Sequence, residues 1–211
     1  MANPRIPYQM SSSRKKLAPP SGRPLIVHMV VNVEHWRFDH AMPRKIITAP
    51  HGAENLPDIP NYSWAEYGMR SGMPRILDMF KANDIPASTS INAGVIEAYP
   101  ECAEAMLEAG WEFIGHAMHQ KSMQAESDEV GLIQEALNVL EKFTGTKTRG
   151  WLSPGLKETE NTPLTHEKWE TVDALRDRMR MRVDTSAATV GKASDALAQL
   201  ARAMKADGSE I

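Results

Sequence analysis

The chain has 211 residues, a formal net charge of −3, and 42% hydrophobic and 24% charged residues. That length suits one domain with a sizeable core, and the slightly acidic balance argues against nucleic acid as a partner, which requires a basic face. The only cysteine, Cys102, excludes an internal disulfide, and no apolar run is long enough for a membrane span.

The N-terminal residues 1–23 are rich in Ser, Pro, Arg and Lys and read as a disordered or extended arm. Arg14-Lys15-Lys16 leads into Leu17-Ala18-Pro19-Pro20 and not into an apolar signal core, so a cytoplasmic protein is expected. Residues 25–33 are apolar and β-branched, a buried strand. Residues 36–63 carry Pro43, Pro50, Pro57 and Pro60 and read as a long irregular insertion. Helical periodicity through Ile76, Leu77 and Phe80 predicts a helix over 73–83, with Pro74 in its first turn. A second strand follows at 87–91. A helix over 95–109 is interrupted near Pro100 and closed by Gly110.

Residues 112–115 form a third expected strand. Residues 126–144 place Val130, Ile133, Leu137 and Leu140 on one helical face, and Gly145 stops that helix. Residues 149–152 read as a fourth strand. The alternation predicts an α/β fold with a parallel sheet, open or closed into a barrel. Residues 164–211 contain no clear strand and read as two helices, 166–183 and 194–205. Arg176, Arg178, Arg180 and Arg182 alternate there with Asp177, Met179 and Met181, and such a charged helix is more often solvated than a patch for an anionic partner.

Chemistry is expected at the strand tips, because a parallel sheet brings them to one edge. The tips are Asn32-Val33-Glu34-His35-Trp36, then His116-Ala117-Met118-His119-Gln120, then Trp151-Leu152-Ser153-Pro154-Gly155. A carboxylate beside imidazoles suits general-base activation of water. The same histidines, His116, His119 and His35, could instead ligate a divalent metal such as zinc. Each residue has a competing structural role. Glu34 could salt-bridge Arg70 or Arg75, and His116 could cap the next helix. Arg70 could orient a substrate carboxylate or Glu34. Trp36, Trp64 and Trp151 could form a stacking wall or simply core, and Pro154 could shape the fourth tip.

These tips, with Tyr67-Gly68-Met69-Arg70-Ser71-Gly72-Met73-Pro74-Arg75, Pro86-Ala87-Ser88 leading to Asn92, Glu97 to Pro100, and Thr144-Gly145 running into Gly150-Trp151, resemble the polysaccharide deacetylase (NodB-homology) superfamily. The pattern is most similar to its allantoinase-like and peptidoglycan deacetylase-like branch and covers residues 24–163. The resemblance implies an incomplete, distorted (β/α) barrel and hydrolysis of a non-peptide carbon–nitrogen bond. The substrate would be an N-acetylated sugar, as a small molecule or oligosaccharide, or an allantoin-like ureide. It implies Glu34 and His116 as catalytic residues, and Arg70, Trp36, Trp151 and Pro154 as substrate-binding.

The metal-dependent branch has two aspartates where this chain has Glu34 and His35, and histidines four apart where His116 and His119 are three apart. Either no cofactor or a zinc site therefore follows. The match stops at Pro163, which implies a truncated chain or a helical tail unrelated to the family. The open barrel edge would then be covered by that tail or by a homo-oligomer. The alternative to an enzyme is a catalytically inactive homologue acting as a binding or interaction protein.

Overall fold

A computed structural model describes residues 8–162 other than 17, 19–21, 23–26, 49–51, 53 and 54; the expected tail helices lie outside the described residues, as does most of the N-terminal arm. Its framework is a parallel sheet in chain order, β1 (Val30–Val33), β2 (Ser88–Ile91) and β3 (Glu112–Gly115). The register aligns Val33 with Ile91 and Ile91 with Gly115, so all three C-terminal ends fall on one line. β1 is shorter than expected, since Val27 to Met29 stand outside it. The expected fourth strand is reduced to one parallel bridge, Trp151 to Gly115. Two hydrogen bonds hold it, Gly115 N–H to the Gly150 carbonyl and Leu152 N–H to the Gly115 carbonyl, both 2.9 Å.

The insertion contains a helix that its proline and glycine content hides. Asp58 caps α1 (Ile59–Tyr67) by accepting from the Asn61 N–H, and Pro60 occupies a first-turn position where no amide donor is needed. A π-helical turn (Gly68–Gly72) joins α1 to α2 (Met73–Ala82). The expected helix after β2 divides at Tyr99 into α3 (Val95–Ala98) and α4 (Pro100–Glu108), because Pro100 cannot continue the ladder.

The long helix α5 (Glu129–Thr144) starts three residues later than expected, where Asp128 accepts from the Gly131 N–H at 2.9 Å. Gly145 ends it at φ +68°, a left-handed position that favours glycine. α5 buries Ile133, Ala136 and Leu140, at roughly 1.5–3 kcal/mol for each large side chain. The core joins Val33, Ile91, Val95, Met106, Phe113 and Leu140, with Phe80 against Trp111 at 5.5 Å between ring centroids. Cys102 packs against this cluster, and burial raises its thiol pKa to about 11. No helix among the described residues is long and apolar enough to cross a membrane.

Candidate functional site

Asn92, the residue just past β2, ties the first and third strand tips together. It is fully buried. Its Oδ1 accepts from the His35 N–H at 2.8 Å, and its Nδ2 donates to the His116 carbonyl. The backbone continues this stitching: Ala93 N–H donates to the Ala117 carbonyl at 2.8 Å, Gly94 N–H to that of Met118 at 3.0 Å, and Gln120 N–H to that of His35 at 3.2 Å. The geometry of the tips is thus fixed by buried hydrogen bonds, each costly to leave unmade.

His116 is buried at 2% exposure. Its Nδ1 faces the Leu152 carbonyl. A carbonyl only accepts, so Nδ1 carries the hydrogen and Nε2 presents a lone pair. Nε2 lies 3.9 Å from Glu34 Oε1 and, among the described residues, makes no hydrogen bond; nor does Gln120 Oε1 beside it. Burial lowers the His116 pKa, outweighing the Leu152 carbonyl, Glu34 and Gln120, which favour the charged ring. The other Glu34 oxygen accepts from Trp36 Nε1 at 2.8 Å.

Glu34, Trp36 and Pro154 line one cavity of about 910 Å³, together with Trp64, Gln120 and the turn around Gly68. Trp36 and Trp64 form one wall, their ring centroids 6.1 Å apart. Three other residues singled out from sequence lie elsewhere. Trp151 packs into the core over Gly115, and its Nε1 donates to Ser153 Oγ at 3.1 Å. Arg70 bonds Glu66 at 2.6 Å and does not line the cavity. Arg75 donates to Tyr67 Oη at 3.4 Å. Neither arginine is the partner of Glu34, whose neighbours are Trp36 and His116.

His35 and His119 meet each other, Nδ1 to Nδ1, at 3.1 Å. Burial lowers both pKa values, and for His35 the charge of His119 lowers it further. Gly94 permits this approach: a Cβ there would stand 2.6 Å from His35 Nδ1 and 2.7 Å from the Met118 carbonyl oxygen. A protein zinc site takes three or four ligands around one point. Among the described residues no three His, Cys, Asp or Glu side chains converge in that way. The expected set of His35, His116 and His119 does not gather around one point among the described residues and does not fit a metal.

Asn92 and Gly94 are the positioning residues that sequence reasoning left out of the site. The signal for them was their place directly after a buried strand.

A parallel α/β sheet with a carboxylate and an imidazole at its strand tips is the arrangement of barrel-derived domains, in which chemistry usually sits at the C-terminal edge of the strands. The chain belongs to the polysaccharide deacetylase family, whose model matches residues 62–171. It has the α/β NodB-like fold, a parallel sheet forming part of a barrel.

Among solved structures it is similar to a probable polysaccharide deacetylase from Pseudomonas aeruginosa PAO1, at 24% identity and a TM-score of 0.57, over 67% of this chain and 50% of that one. It is also similar to PuuE allantoinase, at 26% identity and a TM-score of 0.55, over 67% of this chain and 49% of that one. The chain therefore spans about half the length of these structures. No curated protein matches it.

Proposed function

We propose that the chain hydrolyses a carbon–nitrogen bond other than a peptide bond, in an N-acetylated sugar or an allantoin-like ureide, with Glu34 as general base. The observation that carries this reading is the 3.9 Å gap between Glu34 Oε1 and the His116 Nε2 lone pair. His116 Nε2 is buried without a partner among the described residues and Glu34 Oε1 is partly exposed; both are acceptors, and a water molecule between them donates one hydrogen to each.

Such a water is oriented by His116 and deprotonated by Glu34 as its oxygen attacks the substrate carbonyl carbon. The carbon–nitrogen bond then breaks, and the proton held by Glu34 passes to the leaving nitrogen. Gln120 lines the same cavity, and in this reading its amide nitrogen donates to the developing oxyanion. Trp64, half exposed and tilted 42° from the buried Trp36 behind it, offers an aromatic face to a sugar or ureide ring.

The test is turnover of N-acetylated chito-oligosaccharides and of allantoin by the parent and by Glu34→Gln, with and without chelator. Glutamine retains an oxygen that can accept from Trp36, so the variant should fold. Loss of about 10²- to 10⁴-fold in rate is expected, the usual contribution of a general base. Unchanged turnover in Glu34→Gln removes Glu34 from the mechanism. Absence of turnover in a folded parent favours the binding-protein alternative.

A further inference from the structure

The cavity has a charge pattern that the hydrolytic step does not use. Its lining holds one acidic side chain, Glu34, and three cations, Arg44, Lys121 and Lys157. Lys121 is paired with Glu126 at 2.8 Å. Arg44 and Lys157 make no ion pair or side-chain hydrogen bond among the described residues. Glu34 is already held by Trp36 and faces His116, so neither cation serves the base. Arg44 comes from the loop after β1, and Lys157 follows the turn at the fourth tip. Two separate chain segments thus bring positive charge that is unpaired among the described residues to one cavity, in a chain whose formal net charge is −3.

We infer that the ligand of this cavity carries an anionic group, a carboxylate or phosphate, away from its scissile bond, received by Arg44 and Lys157. The inference rests on the cavity being the hydrolytic site proposed above, and it names the class of its substrate. Arg70, which sequence offered as an anion receiver, is bound to Glu66 outside the cavity lining. Cations lining a low-dielectric cleft concentrate anions and steer their approach. Both side chains are exposed, so each contact is worth little by itself. Together they should give a preference on the order of 10-fold, weakened by salt. The tryptophan wall takes the uncharged ring of the same molecule.

The experiment measures binding by calorimetry and hydrolysis by amine release for three probes: N-acetylglucosamine, N-acetylglucosamine 6-phosphate and N-acetylmuramic acid. All three share the amide and the pyranose ring and differ in the anion. The parent is compared with the double variant Arg44→Gln, Lys157→Gln, at low and high salt. A thermal melt checks that the double variant stays folded.

The expected result is about 10-fold tighter binding of one anionic probe over the neutral one, lost in the double variant and at high salt. Which anionic probe is favoured distinguishes phosphate from carboxylate. Equal binding of all three probes, no binding of any, or a preference that survives the double substitution overturns the inference. Anion-selective binding without amine release upholds it and overturns the hydrolytic reading. Amine release without discrimination does the reverse.

Discussion

Replacing Gly94 by alanine sets two effects of opposite sign against each other. Gly94 has φ −64° and ψ −13°, ordinary helical values. At such a position Gly→Ala normally stabilises by about 0.4–1 kcal/mol, because the unfolded chain loses freedom. Here the added methyl would lie 2.6 Å from His35 Nδ1, 2.7 Å from the Met118 carbonyl oxygen and 3.0 Å from His119 Cε1. The carbonyl is backbone, and the Gly94 N–H itself holds it at 3.0 Å, so it cannot turn aside cheaply.

Overpacking of this kind costs about 1–3 kcal/mol, and the net loss should be about 1–2 kcal/mol. For a domain of this size that lowers Tm by about 2–8 °C. Gly72→Ala serves as the internal comparison: its φ is −70°, and a Cβ would meet nothing within 4 Å. It should be stabilised, not destabilised. Thermal and urea unfolding of both variants reads the difference. A Gly94→Ala protein as stable as the parent would refute the idea that the two histidines and the Met118 carbonyl leave no room at the site.

Asp128→Ala should lower stability by about 1 kcal/mol, since it removes the cap that accepts from Gly131 N–H at the start of α5; an unchanged urea midpoint would count against that cap. Stability should also fall on acidification. The pKa values of His35, His116 and His119 are lowered in the folded protein, so the unfolded chain binds protons first. Their contribution is complete above about pH 6.5, the unfolded histidine value, and is lost as pH falls from there toward the folded values. His116 is the most deeply buried and should dominate, so His116→Gln should flatten the urea midpoint between pH 7.5 and 5.5; an equal slope in parent and variant would contradict the burial argument.

Strands and amphipathic helices were legible because their periods are local. β3 was read at the bounds observed, 112–115, and α5 at its C-terminal end, where Gly145 takes the left-handed position expected of it. The start of α5 was missed because Asp128 caps two residues beyond Glu126, a competition that periodicity does not resolve. α1 is hidden in the sequence because Pro57 and Pro60 read as breakers of an irregular insertion. Asp58 followed by Pro60 is equally a start signal, and the buried Asn61, bonded to the backbone of Ile46 and Ile47, shows why a helix forms there.

At the site, local reading located the tips but not their pairings. Glu34 with Trp36 is two residues apart, whereas His35 with His119 spans 84 positions and depends on Gly94 from a third segment. The role of Asn92 was equally beyond reach, because its two partners are His35 and His116, on opposite sides of it in the sheet.

The order of the sheet, with β2 between β1 and β3, sets a gradient in how long each amide proton survives in heavy water. β2 is buried at all four residues and has a strand on either side. Its protons can leave only when the whole domain opens. β1 has β2 on one side among the described residues, and its burial alternates. Among the described residues no strand pairs with its outer side, so the N–H groups there exchange through small local fluctuations. The two strands thus report on different events, global unfolding in the middle and fraying at the margin. Asn92, which follows the slow strand and bonds the tip of the fast one, couples the lifetime of the candidate site to the more persistent of the two.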